Sequence, residues 1–156
     1  MRRLPVLVIS VVAITTLGLT VALATPPTGL TRTETSRTAL VGGGPVDFKP
    51  GLETVVLHVT LAPGGSTGWH SHPGPGIFMV DKGTLSNYGL DGAACTPVKI
   101  NAGQGYFVPE HAHHAHLARN DGTEPLELTI TYFNVPSGQP TRIDAGRPAE
   151  CPADLG

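Results

Sequence analysis

Short apolar runs separated by turn residues recur about every ten positions between residues 53 and 135, which is the spacing of an all-β domain. In the first run, Glu53–Leu61, the residues Val55, Leu57, Val59 and Leu61 share one parity. That alternation is typical of a strand with one buried face. Many short, evenly spaced strands predict a sandwich or a barrel rather than a helical fold.

Composition and charge exclude several classes of protein. The chain has 20 Gly and 15 Pro, which leaves little room for long helices. It has 10 Lys and Arg against 12 Asp and Glu, without a basic cluster. A nucleic-acid-binding protein normally carries such a cluster, so we expect no nucleic-acid partner.

The N-terminus has the pattern of an export signal. Arg2 and Arg3 precede an uncharged, mostly apolar stretch that ends in Ala22-Leu23-Ala24, a small-x-small sequence of the kind cleaved by signal peptidase. A membrane anchor is the alternative, because this stretch is long enough to span a bilayer. Ser and Thr residues within it favour cleavage. We therefore predict a signal peptide at residues 1–24 and a secreted, extracytoplasmic protein without membrane contact after cleavage.

The two cysteines, Cys95 and Cys151, lie in loop-like Gly, Ala and Pro surroundings. Export would place them in an oxidising compartment, where a pair of this kind forms a disulfide bond. A zinc thiolate site is the alternative, but the chain has no Cys-x-x-Cys spacing. We predict one disulfide.

The rest of the chain divides by composition. Residues 25–44 are rich in Thr, Pro and Gly and are predicted to form an N-terminal arm; residues 45–136 carry the strands; and residues 137–156 are predicted to be a surface tail. An exposed sheet edge, or the face that carries His58, is the surface through which we expect a homodimer.

All seven histidines lie between His58 and His116, and the six after His58 form two groups that matter for metal binding. His70 and His72 are two residues apart, so in a strand they face the same side, about 6.5 to 7 Å apart at the backbone. The second group contains another same-face pair, His114 and His116. Neutral imidazoles suit divalent Fe, Mn, Zn, Ni or Cu. The pattern predicts one divalent transition metal, held by the first pair and completed from the second group.

These residues resemble a known family. Gly64, His70, His72 and Gly83 follow the spacing of the first cupin motif, and Gly103, Pro109, a later His and Asn120 follow the second. Residues 54–135 therefore resemble cupins, and more narrowly small secreted cupins of actinobacterial type, which have no well-defined activity as a group. The resemblance implies an antiparallel jelly-roll β-barrel with a metal in its mouth.

Two departures from the family pattern affect the ligand set. Gly76 stands where the pattern has a Glu ligand. The second motif is also stretched: counting forward from Pro109 selects His114, whereas counting back from Asn120 selects His116. We prefer His116 because the His-x-x-x-Asn spacing is uninterrupted, and we expect His114 to be a fourth ligand.

The resemblance suggests a metal-dependent enzyme that cleaves with oxygen, decarboxylates or isomerises a small organic acid or phenolic. The main alternative is a non-catalytic extracytoplasmic module that binds a metal or a small-molecule ligand. A third interpretation is a cupin that has lost its metal. No catalytic residue is predicted, because no carboxylate has a spacing that ties it to the histidines.

Overall fold

The computed structural model describes residues 31, 33–40, 43–90, 95–109 and 115–155. The chain divides into two units, Met1–Thr33 and Glu34–Gly156, and the elements below belong to the second. The predicted signal peptide, residues 1–24, lies outside the described residues. Within the described part of the chain, no helix is long and apolar enough to cross a membrane.

The described residues form strands and no helix, as the turn spacing predicts. The strands are β1 (Ala39–Leu40), β2 (Glu53–Leu61), β3 (His70–Ser71), β4 (Gly76–Lys82), β5 (Thr84–Tyr88), β6 (Pro97–Asn101), β7 (Gln104–Val108), β8 (Leu117–Arg119), β9 (Leu126–Val135) and β10 (Ile143–Asp144).

The first sheet has five strands in the order β1-β7-β4-β9-β2. Its pairs are antiparallel except for β1 with β7. Strand β2 has the predicted bounds and pairs with β9 along its length. Its apolar residues at alternate positions are half-buried against the core, while the other parity is exposed, as expected for an edge strand with one solvated face.

The second sheet consists of β6-β5-β8, extended by β3 and β10. Bridges from Ser66 to Arg119 and from His70 to His116 join the β3 segment to the β8 segment. Strand β10 then pairs antiparallel with β3. The C-terminal segment therefore contributes a short strand to this sheet.

The predicted jelly roll is confirmed, but the described strands do not close into a barrel. No ladder among them joins β1 or β2 to the second sheet. The two sheets instead share one apolar core, to which β4, β5, β6, β7, β8 and β9 all contribute buried side chains. Interdigitated side chains, rather than a continuous ring of backbone hydrogen bonds, hold the sheets together.

A second, smaller apolar cluster includes Trp69, Tyr88, Leu117, Cys151 and Leu155. Cys95 and Cys151 form the predicted disulfide bond. The Trp69 indole donates a hydrogen bond of 2.9 Å to the Leu155 carbonyl. The C-terminal residues are thus fixed on the body of the domain by a covalent bond and by burial around Trp69.

Asn120 stabilises the turn between β8 and β9. Its side-chain NH₂ donates to the carbonyls of Leu61 and Glu124, at 2.9 and 2.8 Å, and its side-chain oxygen accepts from the Gly122 amide at 2.9 Å. Because all of these contacts are internal, Asn120 serves the fold. Strand β8 begins directly after His116 and ends directly before Asn120. The position of Asn120 in the family motif is therefore explained by its role in the turn that ends β8.

Candidate metal centre

His70 and His116 come from segments that are distant in sequence and are joined by the second sheet. The His70 amide donates to the His116 carbonyl at 3.0 Å, and the His116 amide donates to the His70 carbonyl at 2.9 Å. Residues that exchange both hydrogen bonds in an antiparallel pair lie directly opposite each other. Their side chains therefore project from the same face.

The chain just after β5 passes very close to the backbone of the His116 segment. Gly89 has a φ of +91°, and a Cβ atom there would lie 2.7 Å from the Ala115 carbonyl oxygen. Only glycine adopts such a φ readily and also allows so close an approach. Gly89 thus lets the chain after β5 pass directly beside His116.

His70, His72 and His116 form one buried cluster. They are 4%, 4% and 2% exposed, and their candidate ligand atoms all lie within 4.8 Å of one another. The Nε2 atoms of His72 and His116 are 3.2 Å apart. Three imidazoles buried this deeply in contact with one another are uncommon unless they share a function.

Backbone carbonyls select the tautomers of two of these rings. His70 Nδ1 lies 2.8 Å from the Gly68 carbonyl oxygen, and His72 Nδ1 lies 2.6 Å from that of Thr141. A carbonyl can only accept, so each Nδ1 carries the proton and each Nε2 of the neutral ring presents a lone pair. Metal-binding histidines are commonly oriented by this kind of hydrogen bond.

The donor set fits a divalent transition metal. Two nitrogens bound tetrahedrally to one ion at about 2.0–2.1 Å lie about 3.3 Å apart, close to the observed Nε2 separation of His72 and His116. In the described residues, this is the group of His, Cys, Asp and Glu side chains close enough to share an ion. All three ligands would be neutral.

Burial keeps the imidazole rings of His70 and His72 uncharged at neutral pH. It lowers the pKa of His72 to about 4, and the hydrogen bond to Thr141 only partly offsets this effect. Burial is also the main cause of the lowered pKa of His70. A charged imidazole is penalised in an apolar site, so at neutral pH both rings are uncharged and their lone pairs are available.

Aromatic rings line the cluster. The ring centroids of Tyr132 and His72 are 4.6 Å apart, and Phe78 lies 5.8 Å from His72 and 6.1 Å from His116. Burial raises the pKa of the Tyr132 phenol above its usual range, so the hydroxyl stays protonated at neutral pH. No sequence motif marks Tyr132 as part of the site, although its parity within β9 places it on the core face.

Gly76 also faces this wall. A Cβ atom at Gly76 would lie 3.2 Å from Tyr132 Cδ1 and 3.5 Å from Phe78 Cε2. The space that a longer side chain would need is filled by aromatic carbon. The residue that replaces the family's glutamate is thus part of a closely packed surface.

The structure brings together three of the four histidines predicted as ligands. His116 lies in the cluster with His70 and His72, whereas His114 lies outside the described residues, as do His111 and His113. His58 is on the first sheet, hydrogen-bonded to Thr129 at 3.1 Å. Trp69, which lies between Gly68 and His70 in the chain, packs in the second apolar cluster and not with the three histidines.

The carboxylates considered in the sequence have other partners or positions. Asp81 accepts hydrogen bonds from Ser36 and Thr129, and Glu53 accepts one from Ser137. Glu127 faces Lys82 at 4.0 Å, and Glu110 lies outside the described residues. Among the described residues, no carboxylate joins the histidine cluster.

Comparison with known proteins identifies the domain. Residues 57–132 match the family model described as "Cupin domain". This segment runs from β2 to β9 and includes all three histidines of the cluster. No curated protein matches the chain by sequence.

Several solved structures resemble this one over part of their length. A double-stranded β-helix protein from Klebsiella pneumoniae is 22% identical, with a TM-score of 0.46 over 55% of this chain and 70% of that one. An oxalate oxidase is 26% identical, with a TM-score of 0.44 over 52% of this chain and 42% of that one. The polyketide cyclase RemF from Streptomyces resistomycificus is 16% identical, with a TM-score of 0.48 over 62% of this chain and 63% of that one. The chain thus spans less than two thirds of the length of both enzymes.

Proposed function

This chain belongs to the cupin family, and we propose that it binds one divalent transition-metal ion through His70, His72 and His116. One observation carries the proposal: the Nε2 atoms of His72 and His116 face each other at 3.2 Å. The Nδ1 atoms of His70 and His72 are meanwhile held by backbone carbonyls. The Nε2 atoms of His70 and His72 therefore present lone pairs.

The metal is Fe, Mn, Zn, Ni or Cu, since neutral imidazole suits each of them. When bound, such an ion supplies Lewis acidity, polarising a carbonyl or lowering the pKa of bound water. The chain itself orients three ligands and excludes bulk water with Phe78 and Tyr132. The Tyr132 ring packs against His72, and its phenol stays protonated at neutral pH.

We propose that the centre acts on a small organic acid or phenolic as a dioxygenase, decarboxylase or isomerase. Three neutral ligands leave coordination positions for a substrate. A second candidate is a non-catalytic module that holds a metal or a small ligand. The absence of a carboxylate from the described cluster favours this second candidate, because a carboxylate is the most common general base after histidine.

Metal analysis of the purified domain tests the centre. We expect about one equivalent of metal in the wild type, because three imidazoles are a sufficient set of protein ligands for one ion. His70→Ala, His72→Ala and His116→Ala should each reduce it below about a tenth of an equivalent, since two imidazoles are fewer than the three protein ligands that hold an ion in such sites. The matched control is His58→Ala, which removes an imidazole on the first sheet and should keep the metal. Full metal content in His116→Ala would contradict the proposal.

Two further variants address the second histidine group. His114→Ala should weaken metal binding if His114 is the fourth ligand, and His111→Ala should leave it intact. Loss of metal in His111→Ala with retention in His116→Ala would mean that the ligand assignment is wrong. Turnover of an organic-acid and phenol panel, with metal-depleted protein as control, separates the enzyme from the binding module.

A further inference from the structure

Asn87 in β5 is a buried amide without a partner. It is 1% exposed, and neither its Oδ1 nor its Nδ2 makes a hydrogen bond. Buried side-chain amides nearly always have partners, because leaving their donors and acceptors unpaired is costly. A fully buried asparagine with both ends unpaired is therefore a sign of a missing partner.

Strand alternation shows which way this amide points. Leu85, two residues before Asn87, is in the main core, whereas Tyr88 belongs to the second cluster on the other face. Asn87 is paired with Ala118 of β8, which also contributes to the main core. Asn87 therefore projects between the two sheets, on the same side as the histidine cluster.

The distance to the metal centre is short. Ala118 lies two residues beyond His116 and shares its parity, so Asn87 and His116 are diagonal neighbours, about 7–8 Å apart at the backbone. The side chain between them is only the methyl group of Ala118. An amide at this position can reach a molecule bound at the three histidines.

The charges around the cluster favour an anion. Three neutral imidazoles would leave the two positive charges of the ion uncompensated. Arg142 adds a positive charge near the cluster, because the β10 to β3 register places it opposite His72. Arg142 is paired with Asp144 at 2.7 Å, so its charge is partly compensated, whereas no carboxylate of the described residues compensates an ion at the three histidines.

We infer that Asn87 is a ligand-binding residue of the proposed metal centre, and that the ligand is a small hydroxylated carboxylate. The inference rests on the proposed metal function. The ligand carboxylate provides the negative charge that three neutral imidazoles do not supply to the ion. The Asn87 NH₂ donates to an oxygen of the ligand, and its Oδ1 accepts from the ligand hydroxyl, so that both unpaired ends of the amide are used.

Binding of lactate and propionate to the Co²⁺-loaded full chain tests this inference, because the two acids differ by the hydroxyl group. Changes in the visible Co²⁺ absorption on titration give their affinities. In the wild type we expect lactate to bind more tightly than propionate. Asn87→Leu should weaken lactate binding at least tenfold and reduce the lactate-to-propionate preference. Arg142→Gln should weaken both acids.

A thermal-unfolding measurement on the metal-free proteins separates ligand binding from a structural role. Asn87→Leu removes an unpaired amide, so its Tm should be equal to that of the wild type or higher. The matched control is Ser86→Ala, the adjacent residue on the opposite face, which should leave both affinities unchanged. A lower Tm in Asn87→Leu together with unchanged lactate affinity would overturn the inference.

The two proposals fail differently. If the wild type does not bind Co²⁺, both the metal centre and the role of Asn87 are wrong. If Co²⁺ binds and Asn87→Leu binds lactate as the wild type does, only the role of Asn87 is wrong.

Discussion

Tyr132 occupies the space beside Gly76 where the cupin pattern has a glutamate. A Cβ atom on Gly76 would already lie 3.2 Å from Tyr132 Cδ1 and 3.3 Å from the Thr131 carbonyl oxygen. The change from Glu to Gly therefore accompanies an aromatic wall that closes this side of the cluster. At Gly76, packed aromatic and backbone atoms therefore stand close to where a side chain would begin.

Adding side-chain atoms at Gly76 should destabilise the domain. We expect Gly76→Ala to cost about 1 kcal/mol and Gly76→Glu about 3 kcal/mol in the metal-free protein, because overpacking forces neighbouring groups to move and Glu also buries a charge. Urea unfolding measures both. Gly146→Ala is the control, since a Cβ there has no atom within 4 Å. Wild-type stability in Gly76→Glu would show that this space is not filled.

Acid should destabilise the metal-free protein over a defined pH range. The pKa of His72 is about 4 in the folded protein and about 6.5 when unfolded, so the unfolded state binds more protons between these values. Stability is unaffected by this group above pH 6.5 and falls as the pH drops towards 4. The full effect of this difference is roughly 3 kcal/mol, at 1.36 kcal/mol per pKa unit.

Urea unfolding of metal-free protein at several pH values between 7 and 4 measures this slope. His72→Gln should have a smaller slope than the wild type, whatever its stability at neutral pH. His58→Gln, outside the cluster, is the control. An equal slope in His72→Gln and the wild type would contradict the prediction.

Removing the disulfide should release the C-terminal residues and lower stability. Cys95 and Cys151 are 56 residues apart, and in the chain-entropy model a loop of that length contributes about 4 kcal/mol. The paired substitution Cys95→Ser and Cys151→Ser should lower the free energy of unfolding by a similar or smaller amount.

Trp69, the single tryptophan, is 5% exposed and packs with Cys151 and Leu155. Its fluorescence should therefore shift to longer wavelength as the C-terminal segment detaches. An unshifted spectrum with unchanged stability would contradict the prediction.

Export should produce a shorter protein. We expect cleavage after Ala24, so that the mature N-terminus is Thr25, and the disulfide is consistent with an oxidising compartment. Intact-mass measurement of protein recovered from the extracellular fraction checks this. Extracellular protein that retains Met1 would show that residues 1–24 are not removed.

Much of the fold and part of the site could be predicted from the sequence. Alternation alone gives the bounds of β2, and turn residues give the all-β class. The His70 and His72 pair follows from the period of a strand, and the cysteine pair follows from composition and spacing. Each of these depends on residues close together in the chain, or on there being only two candidates.

Placing His116 beside His70 and His72 required the tertiary structure. Counting along the chain selects either His114 or His116, because a stretched loop separates the two parts of the motif. Only the paired hydrogen bonds between His70 and His116 fix which face His116 occupies. His70 and His116 are 46 residues apart in the sequence, so no local sequence pattern predicts that they pair.

The surroundings of the site were also decided by tertiary contacts. Thr141 orients His72 through its backbone carbonyl, which no side-chain pattern reveals. Tyr132 and Asn87 read as ordinary strand residues in the sequence, and only the packing of the two sheets places one against His72 and leaves the other buried without a partner. Local sequence determined which residues form strands and which way their side chains alternate. The chemistry of the site depends on which strands meet, and that is set by burial summed over the whole core.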